Sequence, residues 1–332
     1  MDRETFAGLA ERYHRFAREE AAGRSSLYEA LAHGIAEDRD VLAFLSTLPE
    51  AKQQPNLFLA ALRHLFGTPG NMAALRRQLL GDPDAVRAVM EARSTQTNEP
   101  GRCAVLLPVL AQLPQPLALI EVGASAGLCL LPDHYGYDYG RARLQPRGGD
   151  AEPPVFRCAV NEAAPLPRNL PRIVWRAGLD LNPLDAADPS QASWLETLVW
   201  PEQEARRRNL RIALGIAAKA RPRLVRGDLL GEELPALCRQ APKDATLVIF
   251  HTAVLAYVAD GAARRAFASR ASALAPYWIS NEAPRVFPEI ARRTTEAGPT
   301  GAFLLSLNGK PVGFTDPHGA SLEWIGAPGI PA

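Results

Sequence analysis

The segment Leu117-Ala-Leu-Ile-Glu-Val-Gly-Ala-Ser-Ala-Gly-Leu128 is built like a strand that runs into a turn. Four apolar residues, Leu117 to Ile120, lead into Glu121 and Val122. A loop of small residues follows, Gly123-Ala-Ser-Ala-Gly127, and then an apolar turn, Leu128-Cys-Leu-Leu131. A hydrophobic run ending in a Gly-rich turn delivers the carboxyl end of a strand to a ligand. In an open α/β sheet, that end of the first strand is where ligands bind. A phosphate-gripping loop needs G-x-x-x-x-G-K-[ST], and no Lys or suitable Ser/Thr follows Gly127. A dinucleotide fingerprint needs G-x-G-x-x-G, and Ser125 and Leu128 stand at its second and third glycines. The pattern that remains is acid-x-Gly-x-Ser-x-Gly. A tight strand-to-helix corner without a ligand explains the same residues.

Upstream, the chain to about Gln96 reads as helices. Phe6, Leu9, Tyr13 and Phe16 recur at helical spacing with Arg and Glu between them. Ser26 can cap a second helix, and Val41 to Leu45 lies in a third. A strongly apolar stretch, Asn56 to Phe66, ends at Gly67, and Asp82-Pro83 offers a cap with proline at the first helical position. Thr95-Gln-Thr-Asn-Glu-Pro-Gly101 is a polar break, which divides the chain into a helical region over 1–100 and an α/β domain over 101–332. The helical region is expected to cover the mouth of a cleft, with Tyr28, Asn56 and Arg63 facing substrate; packing on the sheet or dimer contact explains it equally.

Downstream, Tyr135, Tyr137, Tyr139 and Arg141 to Leu144 alternate like a hairpin, Gly148 to Pro154 is a loop, and Val155 to Val160 reads as a strand. This makes 135–167 an insertion. Strands then alternate with helices. Arg172 to Asn182 ends in polar groups at Asp180 and Asn182, and a helix is expected over roughly 201–220. Arg223 to Arg226 ends at Gly227-Asp228, Ala245 to Phe250 ends at His251, and Tyr277 to Ser280 ends at Asn281-Glu282. Asn308-Gly309 is a hairpin signal between two apolar runs, and Ala320 to Ile325 can add a last strand. Alternating strands and helices imply a parallel sheet, and the hairpin implies an antiparallel extension of it.

Composition excludes several function classes. The 332 residues carry 37 basic and 36 acidic side chains, a formal charge of +1, which leaves no basic footprint for nucleic acid. No apolar run approaches the ~18–20 residues of a membrane helix, so no membrane partner is expected. The opening Met1-Asp-Arg-Glu lacks the basic and apolar regions of a signal peptide. Cys103, Cys129, Cys158 and Cys238 form no C-x-x-C pair, so a reducing cytoplasm is the expected compartment. The histidines show no H-x-x-x-H spacing, and no metal site is expected. Nothing in the sequence signals an oligomeric state.

The acid-x-Gly-x-Ser-x-Gly turn resembles the first motif of class I S-adenosylmethionine-dependent methyltransferases, with Ser125 at the usual middle glycine. With the later strands and the closing hairpin, residues 101–332 resemble that Rossmann-like domain. The whole chain resembles an uncharacterised bacterial family whose signatures match Glu121-Val-Gly-Ala-Ser-Ala-Gly127, Ala177-Gly-Leu-Asp-Leu-Asn-Pro183 and Phe250-His-Thr-Ala-Val-Leu-Ala-Tyr257. The resemblance implies a methyltransferase acting on a small molecule, with S-adenosylmethionine held by Glu121, Gly123, Ser125 and Gly127, by Asp180 and Asn182 at the ribose, and by Asp228 at the adenine. Local roles compete with these: Asp180 and Asn182 suit a turn, and Asp228 suits a helix cap. The resemblance implies a catalytic place for His251, at the edge facing the transferred methyl, where an imidazole can take a proton; a packed structural histidine is the alternative. Asn281 and Glu282 end the next strand and can reach the same cleft. Methyltransferases acting on nitrogen bases often show Asn/Asp-Pro-Pro-aromatic where this chain has Phe250-His-Thr-Ala253, so that substrate class is not implied. Two other readings stay open. One is a non-catalytic metabolite binder. The other is a serine hydrolase, because Gly123 to Gly127 also matches a G-x-S-x-G nucleophile elbow, with Ser125 as nucleophile and Glu282 and His318 as partners in chain order.

Overall fold

The computed structural model describes residues 6–96, 98–146 and 152–326. Residues 1–4, read above for a leader, Thr97 in the polar break, and residues 148–151 of the expected loop lie outside them. The chain forms two compact units, Met1–Thr97 with Ser190–Arg208, and Asn98–Pro189 with Asn209–Ala332.

The first unit is helical: α1 (Ala7–Phe16), α2 (Ser26–Glu37), α3 (Arg39–Ser46), α4 (Pro55–Phe66), α5 (Met72–Gly81) and α6 (Pro83–Ala92). Short polar side chains start these helices by accepting otherwise orphaned backbone amides. Ser25, one residue before the expected cap, accepts from Tyr28 N ahead of α2. Asp38, Asn71 and Asp82 do the same ahead of α3, α5 and α6. The apolar faces meet in a core that includes Tyr13, Leu31, Ile35, Phe58 and Leu62. The later segment 190–208 belongs to this unit, and the three residues expected to face substrate hold it in place. Trp200 packs against Tyr28, with ring centroids 5.6 Å apart, and donates to Asn56 Oδ1 at 2.9 Å. Arg63 donates to the carbonyl of Val199.

The second unit is a mixed α/β structure. It opens with α7 (Cys103–Leu110) and β1 (Leu117–Val122). Two 3-10 turns, Leu128–Leu130 and Pro132–His134, then follow the Gly-rich turn. A small sheet follows, β2 (Gly136–Asp138), β3 (Arg143–Leu144) and β4 (Val155–Arg157), in the order β3-β2-β4. The alternating tyrosines Tyr135, Tyr137 and Tyr139 bury their rings there and donate to the carbonyls of Leu128, Pro132 and Ala104. Next come β5 (Ala159–Val160) and β6 (Ile173–Asp180); the chain then passes through α8 (Pro189–Leu198), which belongs to the helical unit, before α9 (Glu204–Ala220) and β7 (Arg223–Arg226) continue the second unit. α9 stands where a helix was expected over roughly 201–220, and α8 precedes it in a stretch given no element from the sequence. The rest is α10 (Glu233–Gln240), β8 (Thr246–Thr252), α11 (Gly261–Leu274), β9 (Tyr277–Glu282), α12 (Pro288–Ala291), β10 (Phe303–Leu307), β11 (Lys310–Thr315) and β12 (Ser321–Trp324).

The large sheet has nine strands in the order β5-β12-β11-β10-β9-β8-β1-β6-β7. The run from β7 to β9 is parallel, while β9, β10, β11 and β12 pair antiparallel. Asn308 and Gly309 have φ of 49° and 70°. Two positive φ values are the mark of a type I′ turn, which matches strand twist. β5, from the expected insertion, pairs parallel with β12 at one edge. All six residues of β1 are buried, as befits a central strand covered on both faces. Chain order reverses between β1 and β8, whose connections leave in opposite directions, so the carboxyl ends there form a topological switch point. Side chains alternate between faces. Val122, paired with His251, therefore lies on one face; Glu121, and Thr252 paired with Asn281, lie on the other.

Candidate functional site

Buried polar groups gather at the carboxyl edge of the α/β unit. Glu99, Arg102, Glu121, Ser125, His251, Thr252, Asn281, Glu282 and Thr315 are all nearly inaccessible to solvent. Burying such groups is costly unless they are partnered, so their bonds define what the edge is built to do.

The Gly-rich turn is held from within. Gly123 N and Ala124 N donate to Leu179 O at 2.8 and 3.2 Å, and Gly127 N donates to Ala124 O at 2.6 Å. Ser125 N donates to Asp180 Oδ2 at 2.8 Å. Ala126 N donates to Asn98 Oδ1 at 2.9 Å, and Asn98 Nδ2 donates to Ser125 Oγ. All five amides of the turn are thus bonded within the protein. Ser125 has φ of 47°, a left-handed backbone that usually belongs to glycine. Asn98 explains how a serine is kept there: one amide side chain clasps both the hydroxyl and the next backbone N–H. Gly123 is required for a different reason. A β-carbon on it would lie 2.3 Å from Cγ2 of Val254, which follows β8.

Of the residues expected to bind ligand, Asp180 is at the centre of this net. Its second oxygen accepts from Asn182 N at 2.7 Å, while Asn182 Oδ1 accepts from Arg226 at 3.1 Å. Asp228 accepts from Leu230 N at 2.8 Å in a turn. Glu121, 4% exposed, has a carboxylate oxygen, Oε2, without a hydrogen-bond partner. Burial pushes its carboxyl well above the ordinary range; the Cys129 thiol and Asp180 add to the rise, and the Arg102 guanidinium opposes it.

His251 has no exposed surface. Its Nδ1 donates to Glu282 Oε1 at 2.8 Å, and the same oxygen accepts from Val254 N and Leu255 N at 2.9 and 3.0 Å. The imidazole stacks on Trp278, with centroids 5.9 Å apart, and is edged by Phe267 and Phe287. Its Nε2, inside this aromatic box, has no hydrogen-bond partner. The pair fixes the segment after β8, in which Ala253 has φ of 55°.

On the opposite face, the polar break and the end of β11 meet. Arg102 donates to Pro317 O at 2.8 Å and to Thr252 O at 3.1 Å. His318 Nδ1 lies 3.3 Å from Glu99 Oε2, an ion-pair distance without hydrogen-bond geometry. Thr315 donates to Asn281 Oδ1 at 2.8 Å, and Asn281 Nδ2 has no partner. Glu282 therefore turns to His251 and His318 to Glu99, so the acid–base pair required beside an activated Ser125 is not formed from them. Sequence reasoning missed Asn98, Glu99, Arg102, Thr252 and Thr315. The first two sit in the break read only as a boundary and Arg102 follows it directly, so the acid and base around Pro100 were the available signal.

Among the described residues, no group of three or more His, Cys, Asp or Glu side chains is arranged to hold a metal ion. No helix among them is long and apolar enough to cross a membrane. Fold and site together define an α/β protein with a large, mostly parallel sheet whose buried polar groups collect at the strand ends around a Gly-rich turn. The chain belongs to the family described as "uncharacterized protein conserved in bacteria" (DUF2332), whose model matches residues 10–324. Comparison with curated proteins and with solved structures gave no match.

Proposed function

We propose that the carboxyl edge of the α/β unit binds S-adenosylmethionine and that the protein is a class I methyltransferase acting on a small molecule. The observation that carries this reading is a row of three acids, Glu121, Asp180 and Asp228, at the ends of the neighbouring strands β1, β6 and β7, beside a turn whose amides are all spent. A phosphate would need free amides or cations at that turn. A ligand rich in hydrogen-bond donors and positively charged suits carboxylates instead. The order β7-β6-β1-β8-β9 of the parallel strands, with its switch point at β1 and β8, supports the same architecture.

The acids fit such a ligand. Each Asp180 oxygen accepts one backbone amide and keeps a lone pair for a ribose hydroxyl. Asp228 offers an acceptor for the adenine amine, and the orphaned Glu121 Oε2 one for the amino group. When bound, the sulfonium supplies an activated methyl group. The chain's own share is then alignment of the acceptor and exclusion of water. His251 takes a positioning role, acting through Glu282 on the segment 253–255. No observation favours a serine hydrolase over this reading.

Calorimetric titration with S-adenosylhomocysteine tests the proposal. Saturable binding is expected, weakened about tenfold or more in Asp180→Ala and Asp228→Ala, as for loss of charge-assisted hydrogen bonds. No heat at ~1 mM ligand, a concentration corresponding to only about −4 kcal/mol of binding, overturns it. Binding without any methylated product in mass spectrometry would leave a non-catalytic binder.

A further inference from the structure

A concavity lies outside the row of acids. It has a volume of about 330 Å³ and is lined by Ala126 of the turn, by Leu184, Asp185 and Ala186 after β6, and by Arg221 and Leu224 around the start of β7. None of Glu121, Asp180, Asp228 or the segment after β8 borders it. Its size falls at the lower end of small-molecule sites, and its walls combine apolar side chains with few charges, as such sites do.

Arg221 is the feature that assigns a ligand. It follows α9 with φ of 46° and donates its backbone N–H to Ala217 O at 2.8 Å, closing the helix in a left-handed cap. Glycine usually fills that position because a β-carbon there is sterically disfavoured. An arginine stands there in spite of that cost, and among the described residues no carboxylate or carbonyl bonds its guanidinium. Backbone strain that coincides with a cavity and a free cation points from the outlier to a binding role. A guanidinium forks onto a carboxylate through two parallel hydrogen bonds. Asp185 on the same wall disfavours a multiply charged anion such as phosphate.

We infer that this pocket is a separate binding site for a small monocarboxylate with a compact apolar body, held by Arg221 and packed against Leu184 and Leu224. Because Ala126 lines the pocket and Leu184 N donates to Ser125 O at 3.0 Å, an occupant would also press on the Gly-rich turn.

The test uses 4-methylpentanoate, its uncharged amide and inorganic phosphate, titrated into the full chain and followed by NMR line shifts or calorimetry. The carboxylate should bind saturably, and the amide and phosphate should not. Arg221→Gly suits the backbone conformation, so it should melt no lower than the parent yet bind the carboxylate at least about tenfold more weakly. Ala186→Trp should block the pocket with the same loss. Binding of S-adenosylhomocysteine should survive both substitutions, so failure of one site is distinguishable from failure of the other. Absence of saturable carboxylate binding, undiminished binding in Arg221→Gly, or equal affinity for phosphate overturns the assignment.

Discussion

The two units spend their polar side chains in opposite ways. In the helical unit, Ser25 is the only fully buried polar residue among those described, and it works as a helix cap whose hydroxyl donates to Glu202. The α/β unit buries eleven, from Glu99 to Thr315, mostly at the ends of β1, β8, β9 and β11. Caps sit at the rim of water, where each satisfies one backbone amide. The strand-end groups are removed from water and depend on one another. The first arrangement needs only local sequence; the second needs a tertiary structure to bring the partners together, and it leaves Glu121 Oε2, Asn281 Nδ2 and His251 Nε2 unpaired. Unpaired buried atoms are affordable where a site requires them.

The largest expected effect breaks the strand-end network at its most shared atom. Glu282 Oε1 serves His251 and two backbone amides. Glu282→Ala would strip all three donors of their shared acceptor at a largely buried site, and a loss of ~3–5 kcal/mol in urea unfolding is expected. Glu282→Gln keeps an acceptor in place and should cost roughly a third as much. A loss in Glu282→Ala no larger than that of a helix cap would erase the contrast between the units.

Asn98 comes next. Asn98→Ala leaves Ala126 N without its acceptor and removes the bond donated to Ser125 Oγ, with an expected loss of ~2 kcal/mol by the same measurement. A helix cap should cost less. Asp82→Ala removes the acceptor of Ala85 N ahead of α6, worth ~1 kcal/mol. Parity between these two substitutions would show that the strand-end clasp is no more demanding than a cap.

A pH series probes the strand-end edge by sign rather than size. Burial raises the carboxyl of Glu121, so the folded protein holds its proton where the unfolded chain has released it. The stability this residue contributes is therefore present below the unfolded-state value and is lost as pH rises toward the folded one. Glu121→Gln cannot ionise. It should match the parent in acid and melt progressively higher than the parent as pH rises to 8. A gap that stays constant with pH would mean that Glu121 is as ionised in the fold as in water.

Much of the helical unit was legible because its signals are local: apolar spacing, proline at a first turn, Asp82 and Gly67 at helix ends. Β1, the strands ending at Asp180, Asp228, His251 and Glu282, and the Asn308-Gly309 hairpin were legible for the same reason. What the sequence could not display was pairing across distance. Asn98 lies in a stretch whose polarity suggested only a boundary, yet its side chain clasps the turn 27 residues later. Glu282 reads as a strand-end group able to reach the cleft, and its partner His251 as a candidate base, because nothing in either segment says that the two side chains bond each other. Nothing in 190–208 marks it as part of the helical unit either, since Glu202 meets Ser25 only in the folded unit.

The smallest expected effect is the most discriminating for the turn itself. Ser125 stands where a third glycine would cost nothing, and its left-handed backbone carries a penalty of ~1 kcal/mol. Its hydroxyl returns about as much through the bond from Asn98. Ser125→Gly removes both and should leave stability within ~0.5 kcal/mol of the parent. Ser125→Ala keeps the penalty and loses the bond, so it should fall by ~1 kcal/mol. In an Asn98→Ala background the bond from Asn98 is already gone, and Ser125→Gly should there be ~1 kcal/mol more favourable than in the parent. That coupling is what a serine latched by Asn98 requires, and a cycle that closes without interaction would remove the latch.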